Sequence, residues 1–172
     1  QAMLNPIDLP QRLLVRPGAR PRLEDQNADR DFGWDKERAD AVLEKNRCQL
    51  EELQHKLFAD GRFVLLVVLQ GIDAGGKDGT IRHVMTAFNP QGCKVTSFKA
   101  PSPEELKHDY LWRVHRHVPA RGEIGVFNRS HYEDVLVARV DHLVPKNDWE
   151  RRYDQINDFE RMLGENHVRI VK

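Results

Sequence analysis

Four glycines and one lysine follow the most apolar run of the chain. The segment Gly71–Lys77 reads G-I-D-A-G-G-K and matches the G-x-x-x-x-G-K pattern of a phosphate-binding loop. In such a loop, backbone N–H groups at the start of a helix point at phosphate oxygens, and the lysine adds a mobile positive charge. The pattern therefore predicts phosphoryl chemistry. The predicted phosphate-binding residues of the loop are Gly71, Ala74, Gly75, Gly76, Lys77, Asp78 and Gly79.

One position departs from the loops that bind nucleoside triphosphates. Asp78 stands where those loops carry Ser or Thr as a magnesium ligand. Asp73, inside the loop, offers a carboxylate instead, and Mg²⁺ prefers oxygen ligands, usually one or two carboxylates together with phosphate and water. We therefore predict Mg²⁺ as the cofactor and Asp73 as its ligand.

A second set of polar residues follows the apolar segment 123–127. Ligands of open α/β sheets bind at the carboxyl ends of the strands, so this segment predicts a nucleotide-binding role for Asn128, Arg129, Ser130 and Glu133. Glu133 is also a candidate second metal ligand. A solvated acid in the first turn of a helix is an equally good interpretation of Glu133, because the helix dipole favours it there.

A basic segment precedes the third apolar run. Arg113 and Arg116 lie near the loop that enters it, and paired guanidinium contacts from them could bind a phosphate chain. A solvated helix face is an equal alternative for both. His115 and His117 lack a third ligand nearby, which disfavours zinc.

These residues require a scaffold in which strands and helices alternate. Apolar runs predict strands at 63–69, 93–98, 123–127 and from 168 onward. Helical spacing predicts helices at 35–60, 77–88, 103–117, 130–140 and 149–163. Alternation of this kind predicts an α/β fold of the P-loop kinase type, a parallel sheet with helices on both faces in three layers. Residues 1–33, rich in Pro and Arg, are predicted to form an extended arm before a phosphate-binding domain at 34–172.

Composition excludes several classes of function. The 27 Lys and Arg balance the 27 Asp and Glu, so no overall charge favours nucleic acid or an anionic membrane as a partner. Cys48 and Cys93 are too few for a disulfide framework. The longest apolar run is far shorter than the roughly 20 residues that span a bilayer. We expect a soluble, cytoplasmic protein.

Two segments together, GIDAGGKDGTI and GEIGVFNRSHYEDVL, resemble the type-2 polyphosphate kinases. The resemblance extends from LPQRLLVRPG through YDQINDFERML. It implies a Mg²⁺-dependent enzyme that moves phosphoryl groups between inorganic polyphosphate and AMP, ADP or ATP, with guanine nucleotides as further substrates. It also implies a homo-oligomer, either a dimer or a tetramer, and a lid with further helices after Lys172.

The resemblance also implies roles for individual residues. The catalytic residues would be Asp73 as a magnesium ligand, Lys77 as a phosphate clamp and Arg129 as a phosphate contact. Asn128 replaces an aspartate that other members use on the metal. The combination of Asn128 with Glu133 and Asp134 resembles the subgroup that phosphorylates both nucleoside mono- and diphosphates.

Two alternatives stay open at this stage. An ATP-dependent nucleoside monophosphate kinase could share the fold, although the missing Ser or Thr after Lys77 counts against it. A non-catalytic phosphate-binding module is the other alternative. The chain contains no N-K-x-D motif, which weakens the hypothesis of a guanine-nucleotide switch.

Overall fold

The computed structural model of the 172-residue chain describes residues 9–16, 18–22, 24, 29–140 and 145–172. By internal contacts the chain divides into two units, residues 1–46 and 47–172. This boundary falls inside helix α2 (Lys36–Asp60), whereas the sequence pattern placed the end of the arm at residue 33. Residues 1–8, 17, 23 and 25–28 of the predicted arm lie outside the described part of the chain.

The first unit contains a short helix, α1 (Leu9–Leu13), and the beginning of α2. Helix α1 corrects the expectation that the arm is extended throughout. Pro10 is tolerated there because the first turn of a helix has no partner for its backbone N–H groups, and its carbonyl accepts the N–H of Leu14 at 2.9 Å. Helix α2 starts where predicted because the Asp35 carboxylate accepts the N–H of Arg38 at 2.8 Å as an N-cap.

The second unit is built on four parallel strands in the order β2-β3-β1-β4. They are β1 (Val64–Leu69), β2 (Cys93–Ser97), β3 (Ile124–Asn128) and β4 (Val168–Val171). Leu69 of β1 and Ser97 of β2 are both in register with Asn128 of β3, so three strands end at one edge of the sheet. The predicted parallel α/β fold is confirmed.

The helices that connect the strands are α3 (Lys77–Val84), α4 (Trp112–His115), α5 (Glu133–Val140) and α6 (Lys146–Glu165). The connection from β1 to β2 and the connection from β3 to β4 run across the sheet in opposite directions. Because crossovers between parallel strands are right-handed, such connections place their helices on opposite faces. The burial of every residue from Ile124 to Phe127 in β3 agrees with cover on both faces.

The hydrophobic core lies between one face of the sheet and helix α6. Alternate residues of β1 point into it, as expected from the two-residue period of a strand. The buried core residues are Val64, Leu66, Val68, Phe98, Val114, Phe127, Phe159, Leu163 and Val168. This core fixes the ends of β1 and β3 relative to each other, which positions the loops that follow them.

The predicted helix 103–117 is wrong. The capping box at its start does form, since the Ser102 N–H donates to the Glu105 carboxylate at 2.7 Å, but only the 3-10 turn Glu105–Lys107 follows. The Asp109 carboxylate then accepts the N–H groups of Leu111 and Trp112 and begins the separate short helix α4. A side chain that bonds to nearby backbone competes with helix continuation, which explains the break.

Helix α2 buries little apolar surface. Leu53, for example, is 58% exposed. The buried residue of the helix is Gln54, whose amide donates to the Asn89 carbonyl at 2.9 Å and accepts the Asn89 N–H at 2.6 Å. These two hydrogen bonds satisfy the backbone N–H and carbonyl of Asn89, which lies in the connection from α3 to β2. Within the described residues, no helix is long and apolar enough to cross a membrane.

Candidate phosphate-binding site

The glycine-rich loop joins β1 directly to the N-terminus of α3. Gly76 is the N-cap of α3 and adopts a left-handed conformation with φ of 85°, which glycine tolerates without strain. No side chain caps this helix. The N–H groups of residues 76–79 donate to no acceptor in the described part of the chain. A helix N-terminus with free N–H groups is suited to bind an anion.

Gly75 is required by a close approach inside the same loop. Its N–H donates to the Ile72 carbonyl at 3.1 Å, and a Cβ atom at this position would lie 2.9 Å from that carbonyl oxygen. The neighbouring Ala74 adopts φ of 63°, a conformation that is uncommon for a residue with a side chain. The loop therefore has a tight, strained backbone.

Lys77 is the first residue of α3 and lines the cleft above the loop. Its ammonium group donates to the carbonyls of Gly71 and Ile72, both at 2.8 Å. An ammonium group has three donors, so one remains for a ligand. These two bonds hold the positive charge over the loop rather than in bulk solvent.

Arg129 follows β3 and reaches back to the loop. Its guanidinium forms an ion pair with the Asp73 carboxylate, and the backbone N–H of Arg129 donates to the Leu69 carbonyl at 3.0 Å. Arg129 also adopts φ of 63°. Strained residues of this kind cluster at functional sites, and here two of them, Ala74 and Arg129, border the same cleft.

Asn128, the last residue of β3, forms the second bridge to the loop region. Its amide donates to the Asp78 carboxylate at 2.7 Å. The predicted residues Asp73, Lys77, Asp78, Asn128 and Arg129 therefore come together at the carboxyl edge of the sheet, between the ends of β1 and β3.

We call the cavity above the loop the main cleft; it has a volume of about 480 Å³. Its lining residues are Asp73, Ala74, Gly75, Gly76, Lys77, Asp78, Gly79, Ser97, Phe98, Lys99, Asn128 and Arg129. Sequence reasoning missed Ser97, Phe98 and Lys99. The signal that would have found them is that Ser97 ends β2, and Phe98 and Lys99 follow it, at the same edge of a parallel sheet.

A second cavity, which we call the side groove, lies against the other side of the Asp73 and Arg129 pair and has a volume of about 500 Å³. Its walls are largely apolar, and Ile72 is 83% exposed there. The lining residues are Gln70, Gly71, Ile72, Asp73, Arg129, Glu133, Leu136, Val137 and Val140. The side groove places Glu133 on the same cavity as Asp73.

Gln70 organises the predicted residues Glu133 and Ser130. Its amide donates to the Glu133 carboxylate at 2.5 Å and accepts the Ser130 hydroxyl at 3.0 Å. Ser130 is fully buried, and its oxygen also accepts the Tyr132 N–H at 3.2 Å. The Ser130 hydroxyl thus donates one hydrogen bond and accepts another within the protein. This argues against the predicted contact between Ser130 and a nucleotide.

The two arginines predicted to bind phosphate lie elsewhere. Arg113 is only 6% exposed, and its guanidinium donates to the Lys99 carbonyl at 2.8 Å. It also lies 3.7 Å from the Asp134 carboxylate, and burial raises the pKa of that carboxyl above its usual value despite the nearby guanidinium. Arg116 is exposed and packs over the Trp112 ring, outside the main cleft. Burial and internal partners argue against a phosphate role for Arg113.

Behind Arg129, a polar cluster ties the start of α5 to α6 and to the end of β4. His131 is 1% exposed and lies 3.1 Å from the Glu160 carboxylate, which also accepts bonds from the Tyr132 hydroxyl at 2.6 Å and from the Lys172 ammonium. Burial opposes ionisation of Glu160, but the bonds from His131, Lys172 and Tyr132 outweigh it and lower its pKa from 4.5 to about 2. This cluster fixes the segment that follows Arg129.

The donor set of the main cleft suits a divalent cation that arrives with phosphate. No group of three His, Cys, Asp or Glu side chains able to hold a metal occurs among the described residues. The cleft does present two carboxylates, Asp73 and Asp78, and Mg²⁺ characteristically uses one or two carboxylates, with phosphate and water completing its shell. Phosphoryl-transfer enzymes use divalent cations to bridge phosphate oxygens in this way.

A parallel sheet, a glycine-rich loop leading into α3 with free N–H groups, and facing residues from the neighbouring strand define a phosphate-binding protein of the P-loop class. Residues 33–172 match the family model of polyphosphate kinase 2. The chain belongs to the polyphosphate kinase 2 family.

Individual relatives agree with this assignment. The chain is 55% identical to the AMP/ADP-polyphosphate phosphotransferase of Meiothermus ruber, over 77% of this chain and 49% of the relative. It is 47% identical to the ADP-polyphosphate phosphotransferase of Rhodopseudomonas palustris, over 82% and 53%. The crystal structure of polyphosphate kinase 2 from Arthrobacter aurescens superposes with a TM-score of 0.86 at 43% identity, over 92% of this chain and 57% of that one. The chain spans about half the length of the curated relatives that it matches.

Proposed function

We propose that the full-length protein transfers the terminal phosphoryl group of inorganic polyphosphate to nucleoside mono- and diphosphates, forming ADP from AMP and ATP from ADP. Family membership and the names of the relatives support this choice of substrates. The observation that carries the proposal is the loop itself: Lys77 is held over the loop carbonyls, and the N–H groups of residues 76–79 have no acceptor among the residues that the structure describes.

Phosphoryl transfer between two polyanions requires that the reacting groups be aligned and that their negative charge be neutralised. The attacking atom is a terminal phosphate oxygen of the acceptor, and phosphate monoesters lose their second proton near pH ~6, so that oxygen is already ionised at neutral pH. The reaction therefore needs no general base. The free N–H groups of the loop and the third donor of Lys77 would bind oxygens of the transferred group, and Arg129 would neutralise charge from the β3 side.

The cofactor in this proposal is Mg²⁺, held by Asp73 and by phosphate oxygens. Asp78 in the main cleft and Glu133 on the side groove are the two candidates for a second carboxylate. When bound, the cation lowers the charge repulsion between the two polyanions. Asn128 holds one oxygen of the Asp78 carboxylate by a hydrogen bond, which leaves the other oxygen available to a metal.

The proposal is tested with the purified full-length protein. Given polyphosphate as the sole phosphoryl donor, Mg²⁺, and AMP or ADP, it should form ADP or ATP detectable by mass spectrometry. Activity with ATP as donor, and none with polyphosphate, would replace the proposal with an ATP-dependent monophosphate kinase. Binding of polyphosphate without turnover of any nucleotide would favour a non-catalytic module.

Lys77→Ala tests the site within the same assay. We expect turnover to fall by roughly 100-fold or more, the effect of losing one preorganised charge-stabilising donor. Lys56→Ala is a suitable control because Lys56 is exposed on α2 and pairs with Glu52. A near-normal rate for Lys77→Ala would place the chemistry elsewhere.

The homo-oligomer implied by the family resemblance remains part of this proposal. Sedimentation of the full-length protein would distinguish a monomer from a dimer or a tetramer.

A further inference from the structure

Asp78 places a negative charge in the turn that is suited to bind phosphate. It lies in the first turn of α3, and its own N–H is one of those at residues 76–79 that have no acceptor in the described part of the chain. The helix dipole favours an acid in this turn. The same acid repels a phosphate bound there, because like charges a few ångströms apart destabilise each other. A phosphate at this turn therefore needs a cation to offset the carboxylate.

The charged side chains that line the main cleft nearly cancel one another. The two carboxylates of Asp73 and Asp78 face the three cations Lys77, Lys99 and Arg129, which leaves a net charge of +1. Transfer from polyphosphate to a nucleotide brings two polyanions to this cleft, and one positive charge is small against them. A divalent cation held by the two carboxylates would raise the net charge to +3.

Asn128 fixes the position of the Asp78 carboxylate. Its amide donates to one oxygen of that carboxylate at 2.7 Å. Asn128 ends β3, a strand that is buried from Ile124 to Phe127, so the contact has a rigid support. Among the described residues, Asp78 forms no ion pair and no other side-chain hydrogen bond. Its second oxygen is thus available to a ligand in the cleft.

Glu133, the other candidate for a second carboxylate, lies on a different cavity. It lines the side groove, where its carboxylate accepts the Gln70 amide at 2.5 Å, and it does not line the main cleft. In phosphoryl transfer the divalent cation bridges phosphate oxygens, so its protein ligands belong to the cavity that receives the phosphate. Asp73 and Asp78 meet this condition, and Glu133 does not.

We propose that Asp78 is the second carboxylate ligand of Mg²⁺, beside Asp73, and that Asn128 is the residue that positions it; this assignment rests on the proposed function of the main cleft. The oxygen of Asp78 that is not bonded to Asn128 would hold the cation. Asp78 would thus supply an oxygen ligand from the position next to Lys77, where loops that bind nucleoside triphosphates carry Ser or Thr.

Mn²⁺ binding tests the assignment without turnover, because carboxylate sites accept Mn²⁺ in place of Mg²⁺. The full-length protein is titrated with Mn²⁺ while electron paramagnetic resonance follows the free ion. Asp78→Asn and Asn128→Leu should each weaken binding about tenfold or more, the usual cost of losing a metal ligand or the partner that orients it. Asp154→Asn is the matched control, because Asp154 is exposed on α6 and does not line the main cleft; it should bind Mn²⁺ as the wild type does.

An exchange of the two side chains tests the positioning role of Asn128. Asp78→Asn combined with Asn128→Asp keeps one amide and one carboxylate in the same contact, so Mn²⁺ affinity should recover to within about threefold of wild type. No recovery over Asp78→Asn alone would overturn the positioning role.

Polyphosphate binding in EDTA tests whether the Asp78 carboxylate faces the phosphate. Without a divalent cation, Asp78→Asn removes a repulsion, so isothermal titration calorimetry should show polyphosphate binding about two- to fivefold more tightly than to wild type. Asp154→Asn should leave this affinity unchanged. An unchanged affinity for Asp78→Asn would mean that the carboxylate points away from the phosphate, which would overturn the proposal.

The outcomes separate the two proposals. Mn²⁺ affinity of Asp78→Asn within twofold of wild type, or a loss of affinity found in Glu133→Gln instead, would overturn the assignment of Asp78. A wild type without polyphosphate-dependent turnover would overturn the proposed function, whereas the Mn²⁺ titration needs no turnover and reports on Asp78 in either case.

Discussion

Substitution of Glu160 tests how much its polar cluster contributes to the free energy of unfolding. Its carboxylate accepts bonds from His131, Tyr132 and Lys172, so it connects α6 to the segment after β3 and to the end of β4. Glu160→Gln keeps the size of the side chain and removes its charge. The amide hydrogens of the glutamine would also face the Lys172 ammonium, which needs an acceptor.

The magnitude follows from the lowered pKa. A shift from 4.5 to about 2 corresponds to about 3 kcal/mol of folding free energy at neutral pH, since each pKa unit is worth about 1.4 kcal/mol. The folded-state pKa lies below the unfolded value, so this contribution is fully present above pH 4.5 and is lost as the pH falls toward 2. By pH 3 only about 1 kcal/mol should remain.

Urea unfolding of the wild type and the variant, at a series of pH values from 7 down to 3, measures this contribution. The free energy of unfolding of Glu160→Gln should be lower by about 3 kcal/mol at pH 7, and the difference should shrink to about 1 kcal/mol at pH 3. Glu165→Gln is the control, because Glu165 is 70% exposed on the same helix and should change stability by less than about 0.5 kcal/mol.

Two results would refute this reasoning. A difference between wild type and Glu160→Gln that stays constant with pH would mean that the charge of the carboxylate is not its source. A difference no larger than that of the Glu165→Gln control would mean that the cluster contributes little to folding.

Two glycines yield further predictions. Gly75→Ala would place a methyl group 2.9 Å from the Ile72 carbonyl oxygen, a backbone atom that cannot move away cheaply, so kcat/KM in the polyphosphate assay should fall at least about tenfold as the loop shifts; unchanged kinetics would show that the loop relaxes freely. Gly164→Ala lies on the exposed side of α6 with no atom within 4 Å of the new methyl group, so the free energy of unfolding should rise by about 0.5–1 kcal/mol. A loss of stability in urea unfolding would contradict the open space seen there.

The sequence predicts correctly those segments whose local residue pattern alone determines their structure and their place in the fold. The apolar run before Gly71 is β1, the G-x-x-x-x-G-K pattern begins α3 at Lys77, and two of the polar residues predicted at the end of β3, Asn128 and Arg129, face that loop. Each of these predictions depends on a short segment whose backbone conformation is set by its own residues. The rule that parallel strands end at one edge then brings the segments together.

The predictions that failed required knowledge of partners distant in sequence. Helical spacing and a capping box favoured one long helix at 103–117, but the Asp109 side chain starts a new turn there. The guanidinium of Arg113 is typical of a phosphate ligand. In the folded protein it is buried instead, where it pairs with the Asp134 carboxylate and donates to the Lys99 carbonyl. Spacing along the chain does not contain this information.

Polar residues next to apolar runs were missed for a related reason. Gln70 and Gln54 carry no motif, yet each satisfies two partners, Glu133 and Ser130 in one case and both backbone groups of Asn89 in the other. A glutamine in a sequence is compatible with many such arrangements. The fold decides which one forms.

The pairing of Asp73 with Arg129 couples the binding of a metal to the binding of a polyanion. Each side chain is the other's counterion, so a cation that takes Asp73 releases Arg129 for an anion, and an anion that takes Arg129 releases Asp73. Linkage makes this synergy reciprocal: metal and polyanion must raise each other's affinity by the same factor. Because Asp73 is 84% exposed, the ion pair contributes at most about 1 kcal/mol. Its loss can therefore raise the affinity of one ligand in the presence of the other by at most about fivefold.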